Sequence, residues 1–517
     1  MKILLLYPNS YGMNMIPPSL GILTAILKKA GHELELFDST DYVENDRDFD
    51  KEKSCNLNAR PINDFSKLEE AKIFSDPIED FNSQVSRFRP ELIAVSVTED
   101  MFPKSIELLS SLNGKKPTVV MGGVFPTFAP DVAFESSKDC VNYILKGEGE
   151  NTLLEFCDKL EKGQSLKDID GMYYIDKDIF LGDKIINNHL PNPISISDVP
   201  IPDYSLFQES RFYRPMQGKV WRMFPIETSR GCPYKCTYCN SPSQSAIYKD
   251  EVNANFFRKA EIDRIELEIK TMITDYKADS FYFWADTFLD WKKVDFYKFC
   301  DMYGKYKLPF WIQTRPETIK KEYFERLREI GLLRVAFGIE HGNEEFREKY
   351  LERKLKNSKI IDKIKIVTDM NIPISVNNIM GFPFETRELA FDTIELNRKI
   401  ESDGINAYTF VPFHGVPLRK LSEDNNFVKK GKIVRSLMNL TMLDQPQFSK
   451  EEIEGIRRCF VLYVKMPKNR WKDIKKAESL TPEGDQIWLS LKKECSENYM
   501  NYGDYDTVDD IGTVNFE

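Results

Sequence analysis

Three cysteines carry the first chemical signal in this sequence. Cys232, Cys236 and Cys239 stand in the run Ser229-Arg230-Gly231-Cys232-Pro233-Tyr234-Lys235-Cys236-Thr237-Tyr238-Cys239, a C-x3-C-x2-C spacing. The chain holds nine cysteines, and at that frequency such a cluster arises by chance about 0.003 times per chain. Thiolates are the soft ligands that iron–sulfur clusters take, and three on one loop leave one iron of a cubane without a protein ligand. Chemistry can happen at that open iron. The competing reading is a structural zinc knuckle, which wants a fourth Cys or His at short spacing. His189 and His341 are both distant, and no other cysteine lies within sixty residues of the cluster.

Further polar residues fall where strands are expected to end: Asp286 in Trp284-Ala285-Asp286-Thr287, Gln313 and Arg315 in Gln313-Thr314-Arg315, Glu340 in Gly338-Ile339-Glu340-His341-Gly342, and Asn378 in Asn377-Asn378-Ile379-Met380-Gly381. A carboxylate such as Glu340 can bind ribose hydroxyls or an ammonium, and Arg315 can take a carboxylate. Taken singly, each is equally readable as a loop cap or surface ion pair.

The elements that must position these residues alternate. From Phe224 the pattern predicts strands at Ile226–Thr228, Ser280–Trp284, Phe310–Gln313, Arg334–Ile339, Ile374–Met380 and Ala407–Val411. Helices are predicted at Ile262–Asp275, Trp291–Tyr303, Lys321–Ile330, Ser358–Asp369 and Arg387–Ile400. Six strand–helix units make a partial (β/α)6 barrel, with its site at the carboxyl ends of the strands.

An earlier series, Lys2–Tyr7, Glu33–Phe37, Leu92–Val97, Thr118–Met121 and Val141–Leu145, interleaved with helices at Leu20–Lys29, Lys104–Leu112 and Thr152–Leu160, predicts a Rossmann-like doubly wound parallel sheet. Its strand ends carry Thr98, then Gly122-Gly123 followed by Phe125 and Thr127, then Gly147-Glu148-Gly149. Paired glycines at a strand end let the backbone approach a bulky ligand; the bland alternative is a tight turn. The chain thus divides into a doubly wound domain (1–165), a Pro-containing linker (166–222), the barrel (223–421) and a small, mostly helical C-terminal region or substrate cap (422–517). The charged stretch 41–75 reads as an insertion or lid, and the acidic end from Tyr499 to Glu517 as a mobile tail.

With 517 residues, 41% of them hydrophobic, 30% charged and a formal net charge of −10, the composition suits a multidomain globular protein and argues against a nucleic-acid partner. The apolar start is too short for a signal peptide, and no stretch approaches the roughly 18 apolar residues of a membrane span, so a cytoplasmic location is expected. In the C-terminal region, Phe460, Tyr463, Trp471 and Trp488 interleave with Lys465, Lys468, Arg470, Lys472, Lys475 and Lys476. That pattern suits a cap with an anion site or, more simply, an amphipathic helical face.

The cysteine loop, with Tyr238 before its last cysteine and a β/α barrel around it, resembles the radical SAM superfamily. The first domain, with Met121-Gly122-Gly123-Val124-Phe125-Pro126-Thr127 and Gly147-Glu148-Gly149-Glu150, resembles the N-terminal module of cobalamin-binding members. The likeness covers most of residues 1–420. It implies a [4Fe-4S] cluster on Cys232, Cys236 and Cys239, and S-adenosylmethionine (SAM) held by Tyr238, Asp286, Gln313, Arg315, Glu340 and Asn378. It further implies cobalamin at Thr98, Gly122, Gly123, Phe125, Thr127, Gly147, Glu148 and Gly149. The implied activity is reductive cleavage of SAM to a 5'-deoxyadenosyl radical and methyl transfer to an unactivated carbon or phosphorus centre. A small-molecule or natural-product-like substrate and an electron donor such as flavodoxin or ferredoxin complete the picture. The alternatives are a radical cyclase, rearranging or oxidising enzyme, and a metal-stabilised binding protein. The loop after the first strand, Pro8-Asn9-Ser10-Tyr11-Gly12, lacks the histidine that some cobalamin domains give to cobalt.

Overall fold

The computed structural model describes residues 1–13, 15–43, 56–60, 62, 64, 66–114, 116–176, 184–435 and 440–500. Its N-terminal sheet is built from β1 (Lys2–Tyr7), β2 (Glu33–Asp38), β3 (Leu92–Ser96), β4 (Thr118–Gly122), β5 (Tyr143–Leu145), β6 (Met172–Asp176) and β7 (Lys184–Asn187), in the order β2-β1-β3-β4-β5-β6-β7. The first five strands are parallel. The order in which strands are added reverses between β1 and β3, which opens a crevice at their carboxyl ends. β1 and β3 read as nearly unbroken apolar runs because helices cover both faces.

β6 and β7 extend this sheet in antiparallel fashion. They come from the segment expected to be linker, where a Gly/Pro-rich composition masked two short strands. A helix absent from the sequence expectations, Pro77–Phe88, closes the charged stretch. Asp76 caps it by accepting from the Ile78 amide at 2.8 Å, and Phe81 and Phe88 are its buried residues. Residues 44–55, 61, 63 and 65 of the expected lid lie outside the described residues. Of the remainder, Asn58 docks on the barrel edge, its carbonyl accepting from the Ile405 amide (3.2 Å) and its side chain donating to the Ile405 carbonyl (2.7 Å).

The second sheet runs β16-β15-β14-β13-β12-β9-β8. β8 (Tyr213–Met216) and β9 (Lys219–Glu227) form a hairpin, and β9, β12 (Ser280–Trp284), β13 (Phe310–Thr314), β14 (Leu332–Glu340), β15 (Ile374–Met380) and β16 (Gly404–Thr409) are parallel. The sheet curls without closing, so the six parallel strands match the expected partial barrel. Side chains alternate as strand geometry demands. Phe281, Phe283, Phe310 and Ile312 are fully buried outward against the helices, while Trp311 and Gln313 face the lumen. The outer core is dominated by edge-to-face aromatics; Phe283 meets Phe299, Tyr303 and Phe310 at 5.0–5.3 Å.

A short pairing, β10 (Ser229–Arg230) with β11 (Arg258–Lys259), anchors the start of the cysteine loop. The C-terminal region is helical, its helix Lys450–Lys465 opened by a capping box of Ser449 and Glu452. Trp471 packs on Tyr463 and Phe391, and the neighbouring cations are paired: Lys468 with Glu395, Arg470 with Glu494, Lys475 with Glu478. This stretch is therefore a helical face docked on the barrel. The expected tail beyond residue 500 lies outside the described residues. No helix among the described residues is long and apolar enough to cross a membrane.

Candidate active site

The loop after β9 and β10 brings Cys232, Cys236 and Cys239 into one cavity at the carboxyl ends of the barrel strands, together with Tyr238, Asp286, Gln313, Arg315 and Glu340. Burial pushes the Cys232 thiol up and the Cys239 thiol up to about 11. Such thiols ionise when a cation arrives, which suits metal ligands. No group of three or more His, Cys, Asp or Glu among the described residues converges on a single-ion position. A tetrahedral zinc site needs that convergence, whereas a cubane spreads its cysteines over three irons. The donor set therefore fits an iron–sulfur cluster.

Arg315 donates to Cys236 Sγ at 2.8 Å and lies over the Tyr234 ring, 3.7 Å from its centroid. Its other nitrogen pairs with Glu317 at 2.8 Å. Arg353, buried in the loop after the helix Glu344–Leu351, pairs with Glu317 at 3.0 Å, donates to the Gly338 carbonyl at 2.8 Å and reaches Tyr238 Oη at 3.4 Å and Glu340 at 3.5 Å. Burial would lift the Glu317 carboxyl, but Arg353 and Arg315 outweigh it and hold it at about 2. Burial wins at Glu340, whose carboxyl is raised. Glu340 adopts φ 72° at a register shift in β14, and a Cβ on Gly338 would lie 2.2 Å from its Oε1. The glycine is what lets that carboxylate fold back into the cavity.

Asp286, raised by burial, accepts from the Ser241 hydroxyl. Thr287 lies 3.7 Å from Cys232 Sγ. Asn378 is not brought into the cavity. Its side chain points outward to Asn397 (3.1 Å) and the Asn406 carbonyl (3.0 Å), and it is Asn377 that lines the site. The correction is one step of strand alternation. Glu317, Arg353, Ser241 and Thr287 were missed; only Thr287 adjoins a singled-out residue, Ser241 and Glu317 stand two positions after Cys239 and Arg315, and nothing local marks Arg353.

A second cavity, of about 470 Å³, lies between the two sheets. Gly122, Gly123, Gly147, Glu148 and Gly149 line it from the N-terminal side, and Arg230, Ser241, Trp284 and Asp286 from the barrel side. Ser241 and Asp286 border both this cavity and that of the cysteines. Thr98, Phe125 and Thr127 do not line it. Thr98 bonds Asp100 (2.7 Å), and Phe125 packs on Phe102 (5.0 Å). Thr127 ties the two glycine segments together, donating to the Gly123 carbonyl at 2.7 Å and accepting from the Gly147 amide at 2.9 Å. Gly147 has φ +82°, and a Cβ there would meet Tyr248 Oη at 2.8 Å.

Two apolar side chains, Val124 and Trp284, stay 39% and 37% exposed toward this cleft, as suits a bulky, partly apolar ring. Among its described lining residues there is no histidine, cysteine or methionine. Glu148 is fully engaged: it accepts from the Ile194 amide (2.9 Å), Arg230 (2.8 Å) and Arg258. Arg230 also binds Glu150 (2.6 Å) and Glu227 (3.0 Å), which joins the glycine loop of one domain to the cysteine loop of the other.

A curled β/α sheet with three loop cysteines, joined to a doubly wound domain with a glycine-rimmed cleft, defines a two-cofactor radical enzyme. Residues 226–396 match the family model of the radical SAM superfamily and residues 66–156 that of the B12 binding domain. The chain is a radical SAM protein with a B12-binding domain, and its cofactors are a [4Fe-4S] cluster, SAM and cobalamin. This displaces the zinc-stabilised binding module.

Among curated relatives, an uncharacterised methyltransferase of Pyrococcus horikoshii is 24% identical over 401 residues, 75% of this chain and 82% of the relative. The anaerobic magnesium-protoporphyrin IX monomethyl ester cyclase of Rubrivivax gelatinosus is 23% identical over 396 residues, 73% and 67% of the two chains. Among solved structures, the radical SAM methyltransferase TsrM of Kitasatospora setae, with cobalamin and a [4Fe-4S] cluster bound, superposes with TM-score 0.58 at 16% identity over 83% of this chain and 78% of that one. The cobalamin-dependent radical enzyme OxsB gives 0.63 at 15% identity over 96% and 71%. At these identities the structures share the fold.

Proposed function

We propose that this protein is a cobalamin-dependent radical SAM methyltransferase acting on an unactivated carbon or phosphorus centre of a small molecule. The observation that carries the reading is the shared wall: Ser241 and Asp286 border both the cleft between the sheets and the cavity of the cysteines. A methyl donor and a radical source then face one substrate. When bound, the cluster supplies the electron that cleaves SAM to a 5'-deoxyadenosyl radical, and the corrin supplies the route for the methyl group.

The chain's own residues place these groups. Cys232, Cys236 and Cys239 would hold three irons. Tyr238, Asp286, Gln313, Asn377 and Glu340 surround the space left for SAM, with Asp286 and Glu340 as partners for its ammonium and ribose hydroxyls. Arg315 both donates to Cys236 Sγ and offers positive charge for a carboxylate. A substrate that fills the space between the curled sheet and the docked N-terminal domain would displace water there and protect a radical from quenching. Thr98, Phe125 and Thr127 support the cobalamin cleft from behind, while Gly122, Gly123, Gly147, Glu148 and Gly149 rim it. The domain limits that suit this division are a cobalamin unit drawing strands from residues 2–187 and a barrel unit over 213–409.

The test is anaerobic reconstitution followed by incubation with reductant, hydroxocobalamin, methyl-labelled SAM and candidate substrates. The expected result is about four irons per chain, near-stoichiometric corrin, and both 5'-deoxyadenosine and S-adenosylhomocysteine with label in the product. Formation of 5'-deoxyadenosine alone with a turned-over substrate would overturn methyl transfer and favour a cyclising or rearranging enzyme.

A further inference from the structure

The lumen of the curled sheet holds a separate cavity of about 210 Å³. Gln313, Ala336 and Asn377 line both it and the cysteine cavity, so the two abut. Arg334 and Ser375, near the starts of β14 and β15, place it deeper in the barrel.

Its described lining residues include three arginines, Arg60, Arg214 and Arg334, and no acidic side chain. The Arg214 and Arg334 side chains make no hydrogen bond or ion pair among the described residues. Gln217, only 7% exposed, turns a side-chain amide that has no partner into the same region. It sits at φ 51° in the two-residue turn between β8 and β9, a position that usually takes Asn, Asp or Gly. Burial draws the Arg334 guanidinium below its ordinary value; Asp403 opposes this, while Arg214 adds to it. The Asp403 carboxylate is committed to the Ile374 amide at 3.1 Å. Unpaired guanidinium groups and an orphan amide in a secluded space are costly unless an anion answers them.

Resting on the reading of the barrel as the substrate site, we propose that this lumen binds an oxyanion of the substrate, a carboxylate or a phosphate, with Arg334 and Arg214 as charge partners and Gln217 as a neutral donor. The volume falls below the roughly 300–1,000 Å³ of pockets for drug-sized ligands. The lumen therefore takes a small molecule or the anionic end of a larger one, whose remainder reaches Gln313 and Asn377 at the radical source.

The test is calorimetric titration of the full-length reconstituted protein with two probes, inorganic phosphate and benzoate, at constant ionic strength in chloride. The wild type is expected to bind at least one probe, with affinity falling about tenfold in Arg334→Gln and also in Arg214→Gln. The second variant lies on the hairpin and answers the question if the first does not fold, which thermal melting will show. Tighter binding of phosphate would point to a phosphorylated substrate, and tighter binding of benzoate to a carboxylate. Absence of binding to either probe up to about 50 mM, or wild-type affinity in the folded variants, would overturn the proposal. The titration needs neither SAM nor reductant, so failure to cleave SAM would refute the enzyme reading without touching this result, and the reverse also holds.

Discussion

Arg353 organises the charges behind the cysteine cavity at the scale of single residues. It spans Glu317 and Glu340 and is only 3% exposed. Arg353→Gln would leave buried carboxylates without their cation and should cost about 3–5 kcal/mol in denaturant unfolding. Glu317 gives this network a pH signature. Its folded carboxyl titrates at about 2 against an ordinary 4.5, so its stabilisation, about 3 kcal/mol, is fully present above pH 4.5. It is lost as pH falls toward 2, and Glu317→Gln should lower stability at neutral pH while flattening that acid limb. Arg315 has a different role. Its hydrogen bond to Cys236 Sγ should ease cluster reduction, so Arg315→Gln is expected to shift the potential negative in an EPR-monitored redox titration. Turnover should fall about 10–100-fold; an unchanged potential would remove Arg315 from the cluster's surroundings.

β15 shows how one step along a strand separates a cavity-lining side chain from one buried against a helix. Asn377 faces the cavity, and Asn378 faces the helix Arg387–Asn397 through a reciprocal pair with Asn397. Asn377→Ala should weaken SAM binding with little change in melting temperature. Asn378→Ala should instead lower stability by about 1–3 kcal/mol, because it strands the buried Asn397 amide. Equilibrium dialysis with SAM and thermal unfolding distinguish the two, and equal effects on both readouts would contradict the register. The six barrel strands were legible because each is a period-2 or fully apolar run bounded by turn residues. The antiparallel pair β6–β7 was not: it spans a short stretch whose pairing is decided by the edge of a sheet formed far upstream. The helix Ser241–Val252 after the cysteine loop was also missed, since its burial is nearly confined to Ser241 and Tyr248 and it shows no apolar stripe.

The two domains meet, over the whole molecule, through a compact charged junction. Arg230, two residues before Cys232, holds Glu148 and Glu150 of the N-terminal domain and Glu227 of the barrel, while the Tyr248 Oη accepts from the Glu148 amide at 3.0 Å. Arg230→Gln should leave these carboxylates mutually repelling, at a cost of about 3–5 kcal/mol. Calorimetry should then show two unfolding transitions where the wild type is expected to show one, and corrin retention after gel filtration should fall. A variant that still unfolds in one step and keeps its corrin would show that apolar packing alone joins the domains.

The cysteine spacing, the two alternating series and the glycine-rimmed strand ends are local patterns; they made the fold class and an iron–sulfur loop legible, and the family resemblance they carry implied SAM and cobalamin. Asp286, Gln313 and Glu340, at the ends of their own strands, line the cysteine cavity where strand-end reasoning put them. Tertiary structure alone decided that Arg353 and Glu317 stand behind the cavity, that Asn377 rather than Asn378 faces it, and that Arg214 and Arg334 share one lumen. Those facts depend on which side chains meet across strands and loops far apart in the chain. The free energy of such encounters comes from burial and charge pairing that exist only once the sheets have curled and docked.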